Sequence, residues 1–317
     1  MGGGGNSAAP TVPVMPDVPD LAVRACTPDD AGAVLALARA NEERVSGRPS
    51  RLVEGDVRDW WQTVDLPADS WLLVAPGSRA AVAVGWLDRQ GPELGVTFPS
   101  AAQPEAVPVL LDLAERRATE LGLQRLHAGM LVPDPAAEQL LRDRGYSEVR
   151  RFYDMAIELD GPPSLVDVPA GFTLDVPTRE DAQSFHGALT EAFEDHWESH
   201  PLPFDEWWQR RTADPDFDLS WWFVVREGDE TVAVMRNVPA RNGGVYVAAL
   251  GVRRRWRGRG LAKALLAHIF ARSYEAGFRR ITLGVDATSP TGATALYRSV
   301  GMTTELETAA WERRLAT

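Results

Sequence analysis

The two halves of this chain repeat each other, and no other feature limits its possible folds as strongly. Leu21-Ala22-Val23 followed by Thr27-Pro28-Asp29-Asp30-Ala31 returns as Phe172-Thr173-Leu174 followed by Thr178-Arg179-Glu180-Asp181-Ala182. In each copy a short strand meets a threonine N-cap with an acid three residues on, which marks a helix start. Trp71-Leu72-Leu73-Val74 returns as Trp222-Phe223-Val224-Val225, and Val82-Ala83-Val84 as Val232-Ala233-Val234. Leu94-Gly95-Val96 returns as Leu250-Gly251-Val252, Glu120-Leu121-Gly122 as Glu275-Ala276-Gly277, and Gly145-Tyr146 as Gly301-Met302. So many matches in one order predict two copies of one mixed α+β domain.

Each copy reads strand, one or two helices, three strands, helix, strand, helix, strand. The central helices are expected over Val107–Leu121 and Leu261–Ala276. Leu111, Ala114, Ala118 and Leu121 share one face of the first by helical spacing. Gly161-Pro162-Pro163-Ser164 opens a proline-stiffened connector that runs to Pro169. The expected layout is a disordered leader over 1–19, a first domain over 20–160, a linker over 161–169 and a second domain over 170–317. The leader is rich in Gly, Pro and Ala and lacks the basic flank and apolar core of a signal peptide.

Composition removes several function classes. The formal charge is −12, which argues against a nucleic-acid partner, since a polyanion needs a basic face. No apolar run reaches spanning length, so no membrane helix is expected. The one cysteine, Cys26, excludes an internal disulfide and a cysteine-based zinc site, and fits a cytoplasmic location. No metal site is expected. His196 and His200 have the spacing of a helical pair, but Pro201 ends any helix there and no third ligand is evident.

The strongest chemical signal lies in the second copy. An apolar strand, Val245 to Leu250, runs into Gly251-Val252-Arg253-Arg254-Arg255-Trp256-Arg257-Gly258-Arg259-Gly260. A helix follows, with Leu261, Leu265, Leu266, Ile269 and Phe270 as its apolar stripe. Glycines let the backbone curl so that several N–H groups point inward. The helix start adds unpaired N–H groups and the positive end of its dipole. Arg257 and Arg259 add charge. The natural ligand is a phosphate or pyrophosphate. The turn is not a P-loop, because no Gly-Lys-Ser/Thr follows, and its glycine spacing is not that of a dinucleotide fingerprint.

The pattern Arg257-x-x-Gly260-x-Ala262 resembles the acyl-CoA pyrophosphate motif of the GNAT N-acetyltransferase superfamily. The run Asp286-Ala287-Thr288-Ser289-Pro290-Thr291-Gly292, continued through Leu296-Tyr297-x-x-x-Gly301, is similar to the second part of the same signature. The duplication resembles tandem GNAT proteins such as those similar to mycothiol synthase. The resemblance implies an α/β fold of two tandem domains, each a twisted, mostly antiparallel mixed sheet flanked by helices. It also implies acetyl transfer from acetyl-CoA to a primary amine of a small molecule, by direct attack in a ternary complex in a monomer or homodimer. Two alternatives stay open: acetylation of a cysteinyl pseudo-disaccharide, and a non-catalytic acyl-CoA-binding module.

On this resemblance Leu250, Gly251 and Val252 carry the pantetheine arm as an added strand. Arg257, Gly258, Arg259, Gly260, Leu261 and Ala262 hold the pyrophosphate. Tyr297 stands where the family places its general acid. Ser289 replaces a common asparagine that contacts the CoA arm. The general base is not evident, because the strand Val245-Tyr246-Val247-Ala248-Ala249-Leu250 holds no acid where relatives often have one. Glu194 and Asp195, at the end of a helix that lines the acceptor cleft in relatives, and Asp286, at a strand end, are the candidates. Acids and aromatic residues alternate from Phe193 to Trp208, which suits a cationic amine. The first copy carries Thr97-Phe98-Pro99-Ser100-Ala101-Ala102-Gln103-Pro104-Glu105-Ala106 in place of the arginine turn. It has no glycine or arginine, and its prolines remove donors, so the first domain is expected to be degenerate.

Overall fold

The protein is described by a computed structural model covering residues 21–75, 77, 80–89, 94–97, 100–101, 106–289 and 291–315. The expected leader and the centre of the first copy's turn (98–99 and 102–105) lie outside the described residues. Among the described residues no helix is long and apolar enough to cross a membrane.

The first half runs β1 (Ala22–Arg24), α1 (Ala31–Ser46), α2 (Glu54–Trp60), α3 (Leu66–Asp69), β2 (Ser70–Val74), β3 (Ala81–Asp88) and β4 (Leu94–Thr97). It continues with β5 (Ser100–Ala101), α4 (Val107–Glu120), β6 (Arg125–Val132), α5 (Pro135–Asp143) and β7 (Ser147–Glu158). The second half runs β8 (Thr173–Asp175), α6 (Ala182–Phe193), α7 (Phe204–Ala213), β9 (Trp222–Glu227), β10 (Glu230–Arg241) and β11 (Gly244–Val252). It ends with α8 (Leu261–Glu275), β12 (Arg280–Asp286), α9 (Ala293–Ser299) and β13 (Thr303–Arg314).

The repeated threonines start both copies alike. The Thr27 N–H donates to the Asp30 carboxylate at 2.8 Å, and the Thr178 N–H to Asp181 at 2.7 Å. Each capping box turns a strand into a helix through one 3-10 turn.

The strands form one continuous sheet in the order β1-β2-β3-β4-β6-β13-β7-β12-β11-β10-β9-β8, with β5 paired beside β3. It is antiparallel except at β4–β6 and β11–β12. The expected mixed, mostly antiparallel character is therefore present, but the two sheets are fused by an exchange of final strands. β13 pairs with β6 of the first half, from Glu307 opposite Val132 to Arg314 opposite Arg125. β7 pairs with β12 of the second half, from Arg280 opposite Glu158 to Asp286 opposite Phe152.

The cores follow the exchange. Trp311 of β13 is buried with Leu126, Ala128, Leu141 and Tyr146 of the first half. Met155 of β7 is buried with Leu283, Met302 and Tyr297 of the second. Burial of each such side chain stabilises by about 1.5–3 kcal/mol, so neither half completes its core without the other's last strand.

Candidate active site

The parallel pair in each half decides where a ligand can enter. In the first half β4 pairs with β6 along its whole length, from Leu94 opposite Arg125 to Thr97 opposite Ala128. In the second half β11 pairs with β12 only at Val245 opposite Ile281 and Tyr246 opposite Thr282. Beyond Tyr246 the strands part. On its other side β11 stays paired with β10, with Ala248 as an extra residue between Ala249 opposite Arg236 and Val247 opposite Asn237. The stretch of β11 that contains Leu250, Gly251 and Val252 is thus an open edge, able to pair with an extended guest. Gly251 is required for a further reason: a Cβ there would stand 2.8 Å from the Ala192 Cβ of α6.

The arginine turn follows. Its positive-φ residues are Gly258 (φ +75°) and Gly260 (φ +86°), the latter capping α8. The first helical bond runs from the Ala264 N–H to the Gly260 carbonyl at 3.1 Å. Among the described residues, the N–H groups of Gly258, Arg259, Gly260, Leu261 and Ala262 find no acceptor in the chain. These donors, with the helix dipole behind them, make an anion cradle.

Arg257 shapes the cradle: its guanidinium donates to the Val252 carbonyl at 3.1 Å and the Ala192 carbonyl at 3.0 Å. Arg259 is half-exposed, 3.3 Å from Glu227. Ser289 bonds Thr291 through its hydroxyl at 2.8 Å.

Tyr297 lies on α9 and is buried in the second-half core. Burial, and then the neighbouring Tyr246, push its phenol up to about 12. The three acids singled out in the sequence stand in different settings. Glu194 and Asp195 are exposed at the end of α6. Asp195 faces the turn, 2.5 Å from Arg254 and 3.4 Å from Arg257, and Arg254 holds its carboxyl below the usual range. Asp286 is buried, with one oxygen 2.8 Å from Arg150 and the other accepting from the Thr288 N–H at 2.8 Å. A carboxylate so engaged is a strand-end clamp.

A different carboxylate stands free. Asp154, on the exchanged strand β7, lies opposite Gly284 of β12. Its carboxylate opens onto a cavity and is exposed there, although protein atoms pack closely around it on the other sides. Burial pushes its pKa up to about 7, with Glu42 and Glu305 adding like charge. Among the described residues no side chain or backbone group donates to it.

Tyr246, where β11 and β12 part, turns its hydroxyl to the same place. That oxygen lies 3.5 Å, and Asp154 Oδ1 3.7 Å, from where a Cβ on Gly284 would stand. Burial, and then Asp154, raise the Tyr246 phenol to about 12.

The cavity has a volume of about 720 Å³ and lies on the sheet face that carries Asp154, Tyr246, Ala248, Thr282 and Arg236, under α1 and α2 of the first half. The first half therefore walls the site. The acid and aromatic segment from Phe193 to Trp208 does not line it. Trp207 is buried in the core against Phe185 and Trp222.

Comparison with known proteins agrees with this layout. Residues 182–302 match the acetyltransferase (GNAT) family. The whole chain is similar to a GCN5-related N-acetyltransferase from Sphaerobacter thermophilus, at 26% identity, covering 96% of this chain and 98% of that chain with a TM-score of 0.81. A tandem GNAT protein from the clavulanic acid biosynthesis pathway shares the fold at 15% identity, covering 94% and 99% of the two chains with a TM-score of 0.69. Saccharomyces cerevisiae N-myristoyltransferase shares it at 12% identity, covering 95% and 81% with a TM-score of 0.63. No curated protein matches the chain.

Proposed function

We propose that this protein, an acyltransferase whose carboxy-terminal half is a GNAT domain, moves an acetyl group from acetyl-CoA to a primary amine of a small molecule held in the cavity. The pantetheine arm lies in the wedge between β11 and β12, and the pyrophosphate rests on the N–H groups of Gly258–Ala262. The observation that carries the reading is the unpartnered Asp154 carboxylate beside Tyr246, at the point where those strands part.

Asp154 accepts a proton from the incoming ammonium or amine. The amine nitrogen attacks the thioester carbonyl carbon, and the C–S bond breaks as the tetrahedral species collapses. Tyr297 gives its proton to the leaving sulfur. A phenol near 12 is a poor donor to a thiolate whose conjugate acid is near 8.5 if it acts alone. Beyond burial, Asp154 raises the pKa of the Tyr246 phenol and Tyr246 raises that of Tyr297, so Tyr246 stands between the two. A proton passed from Asp154 through Tyr246 to Tyr297 makes the net transfer run from an acid near 7 to a thiolate, which is downhill. The amine's proton thus ends on CoA. Of the expected bases, Asp195 and Asp286 keep the roles their contacts give them: bracing the turn and clamping the end of β12.

The test is thiol release from acetyl-CoA across a panel of primary amines, with calorimetry of acetyl-CoA alongside. The reading expects one acetyl-CoA per chain and amine-dependent release that Asp154→Asn abolishes. No acetyl-CoA binding, or two equivalent sites per chain, contradicts it.

A further inference from the structure

Most charges around the cavity are answered within the chain. Arg280 bonds Glu305 and Glu158, Asp59 bonds Arg241, and Asp214 accepts from Gln62. Glu42 accepts from the Ser50 hydroxyl, and Asp56 from the Val53 and Asn242 N–H groups. Arg48 lies exposed.

Three inward-facing groups remain. One is the Asp154 carboxylate. The other two are Arg236, from β10, and Arg211, from the last turn of α7, both lining the cavity. Among the described residues neither guanidinium has a carboxylate within ion-pair distance, and the buried Arg211 Nε finds no acceptor. Burial, and then Arg211 itself, lower the Arg236 pKa to about 10. The Asp59 and Asp214 carboxylates act on both arginines from a distance but pair with neither, and two half-buried cations without a paired counterion are costly unless a ligand brings the missing charge.

The register sets their distance from Asp154. Asp154 lies opposite Gly284, Tyr246 opposite Thr282, and Arg236 opposite Ala249 of the strand that carries Tyr246. Three strand steps separate β7 from β10, about 14 Å between the strands, and both side chains reach inward to shorten it. An acceptor with its amine and its acid set several bonds apart fits that separation.

We propose that the acceptor is a zwitterion whose primary amine sits at Asp154 and Tyr246 and whose carboxylate, several bonds away, is gripped by Arg236 and Arg211. Guanidinium groups match a carboxylate's two oxygens. This deepens the acetyl-transfer reading and rests on it.

The probes are γ-aminobutyrate, ε-aminocaproate and their neutral amides, offered with acetyl-CoA. Wild-type protein is expected to use the better acid with kcat/KM at least tenfold above its amide. Arg236→Gln and Arg211→Gln are each expected to bring that ratio near one. Amides used as well as acids, or a ratio that survives both substitutions, overturns the proposal.

Calorimetry with the same probes in the presence of CoA separates the two readings. Acid binding that is tenfold tighter than amide binding, and lost in the arginine variants, supports the zwitterion even if acetyl transfer fails. Absence of acid binding overturns it even if other amines are acetylated.

Discussion

Tyr246 and Asp154 converge over Gly284 from two different strands, with the phenol oxygen 3.5 Å and the carboxylate oxygen 3.7 Å from the position of a Cβ on that glycine. Those distances are ordinary contact for one methyl group. Gly284→Ala should therefore keep most activity, within about threefold. Gly284→Leu drives a branched side chain between the two groups and should lower kcat by about a hundredfold, the scale of lost general acid–base catalysis. Acetyl-CoA affinity, read by calorimetry, should hold in both variants.

The protein packed around Asp154 pushes its pKa up to about 7, although the side chain meets solvent in the cavity. A general base works only when ionised, so activity should be present above about pH 7 and fall as pH drops through it. Asp154→Asn should remove that limb and lower kcat by about 10²–10⁴. Stability carries the opposite sign. The folded pKa lies above the unfolded value of 3.8, so the carboxylate costs stability progressively from about pH 4 to 7 and fully above. The asparagine variant should thus melt at a slightly higher temperature than wild type at pH 8, solvent in the cavity screening the cost, and this gain should vanish below about pH 4.

Tyr297 reports on the leaving thiolate. Tyr297→Phe keeps the buried ring and removes the hydroxyl, so kcat should fall by about ten- to a hundredfold while acetyl-CoA binding is nearly unchanged. An acceptor pair such as the acid and amide of one chain should lose rate in equal proportion, since the phenol serves only the sulfur.

Gly260 caps α8 at φ +86°, and a Cβ added there would meet only Pro169 Cγ, at 3.8 Å. Space is open there, so the cost of Gly260→Val is backbone strain of about 1–2 kcal/mol. The cradle should open, and the acetyl-CoA dissociation constant should rise by about tenfold or more in calorimetry.

Much of this was legible in the residues. The duplication, the capping boxes at Thr27 and Thr178, the arginine turn and the helix that bears Tyr297 are local patterns, and local patterns survive folding. The free carboxylate was not legible in the same way. Asp154 belongs to the first copy by sequence and reaches the second site only because β7 pairs with β12. Both final strands are twelve residues long, and nothing in their alternation says which neighbour each will choose. One signal was available: Asp154 is a lone acid in Phe152-Tyr153-Asp154-Met155-Ala156-Ile157, as Arg236 is a lone cation in Val232-Ala233-Val234-Met235-Arg236-Asn237-Val238. A charge placed inside an apolar strand needs a reason. Asp286 has the better position by motif, yet Arg150, also from β7, occupies it.

The strand exchange makes the halves one folding unit. Trp311 is covalently part of the second half but buried in the first-half core. Trp311→Ala should cost about 3–5 kcal/mol and lower a single cooperative transition. Residues 1–160 expressed alone leave the β6 edge and its apolar face uncovered and should aggregate; co-expression with 161–317 should restore solubility. Two separate melting transitions in the intact chain contradict the exchange.

A crystal structure with coenzyme A bound tests the central claim most directly. The account predicts one molecule per chain, its pyrophosphate on the N–H groups of Gly258–Ala262, its arm along Leu250–Val252, and its sulfur ending beside Tyr297 and Tyr246. Coenzyme A lying against β4 and β6 of the first half, or with its thiol turned away from the Asp154 cavity, contradicts it.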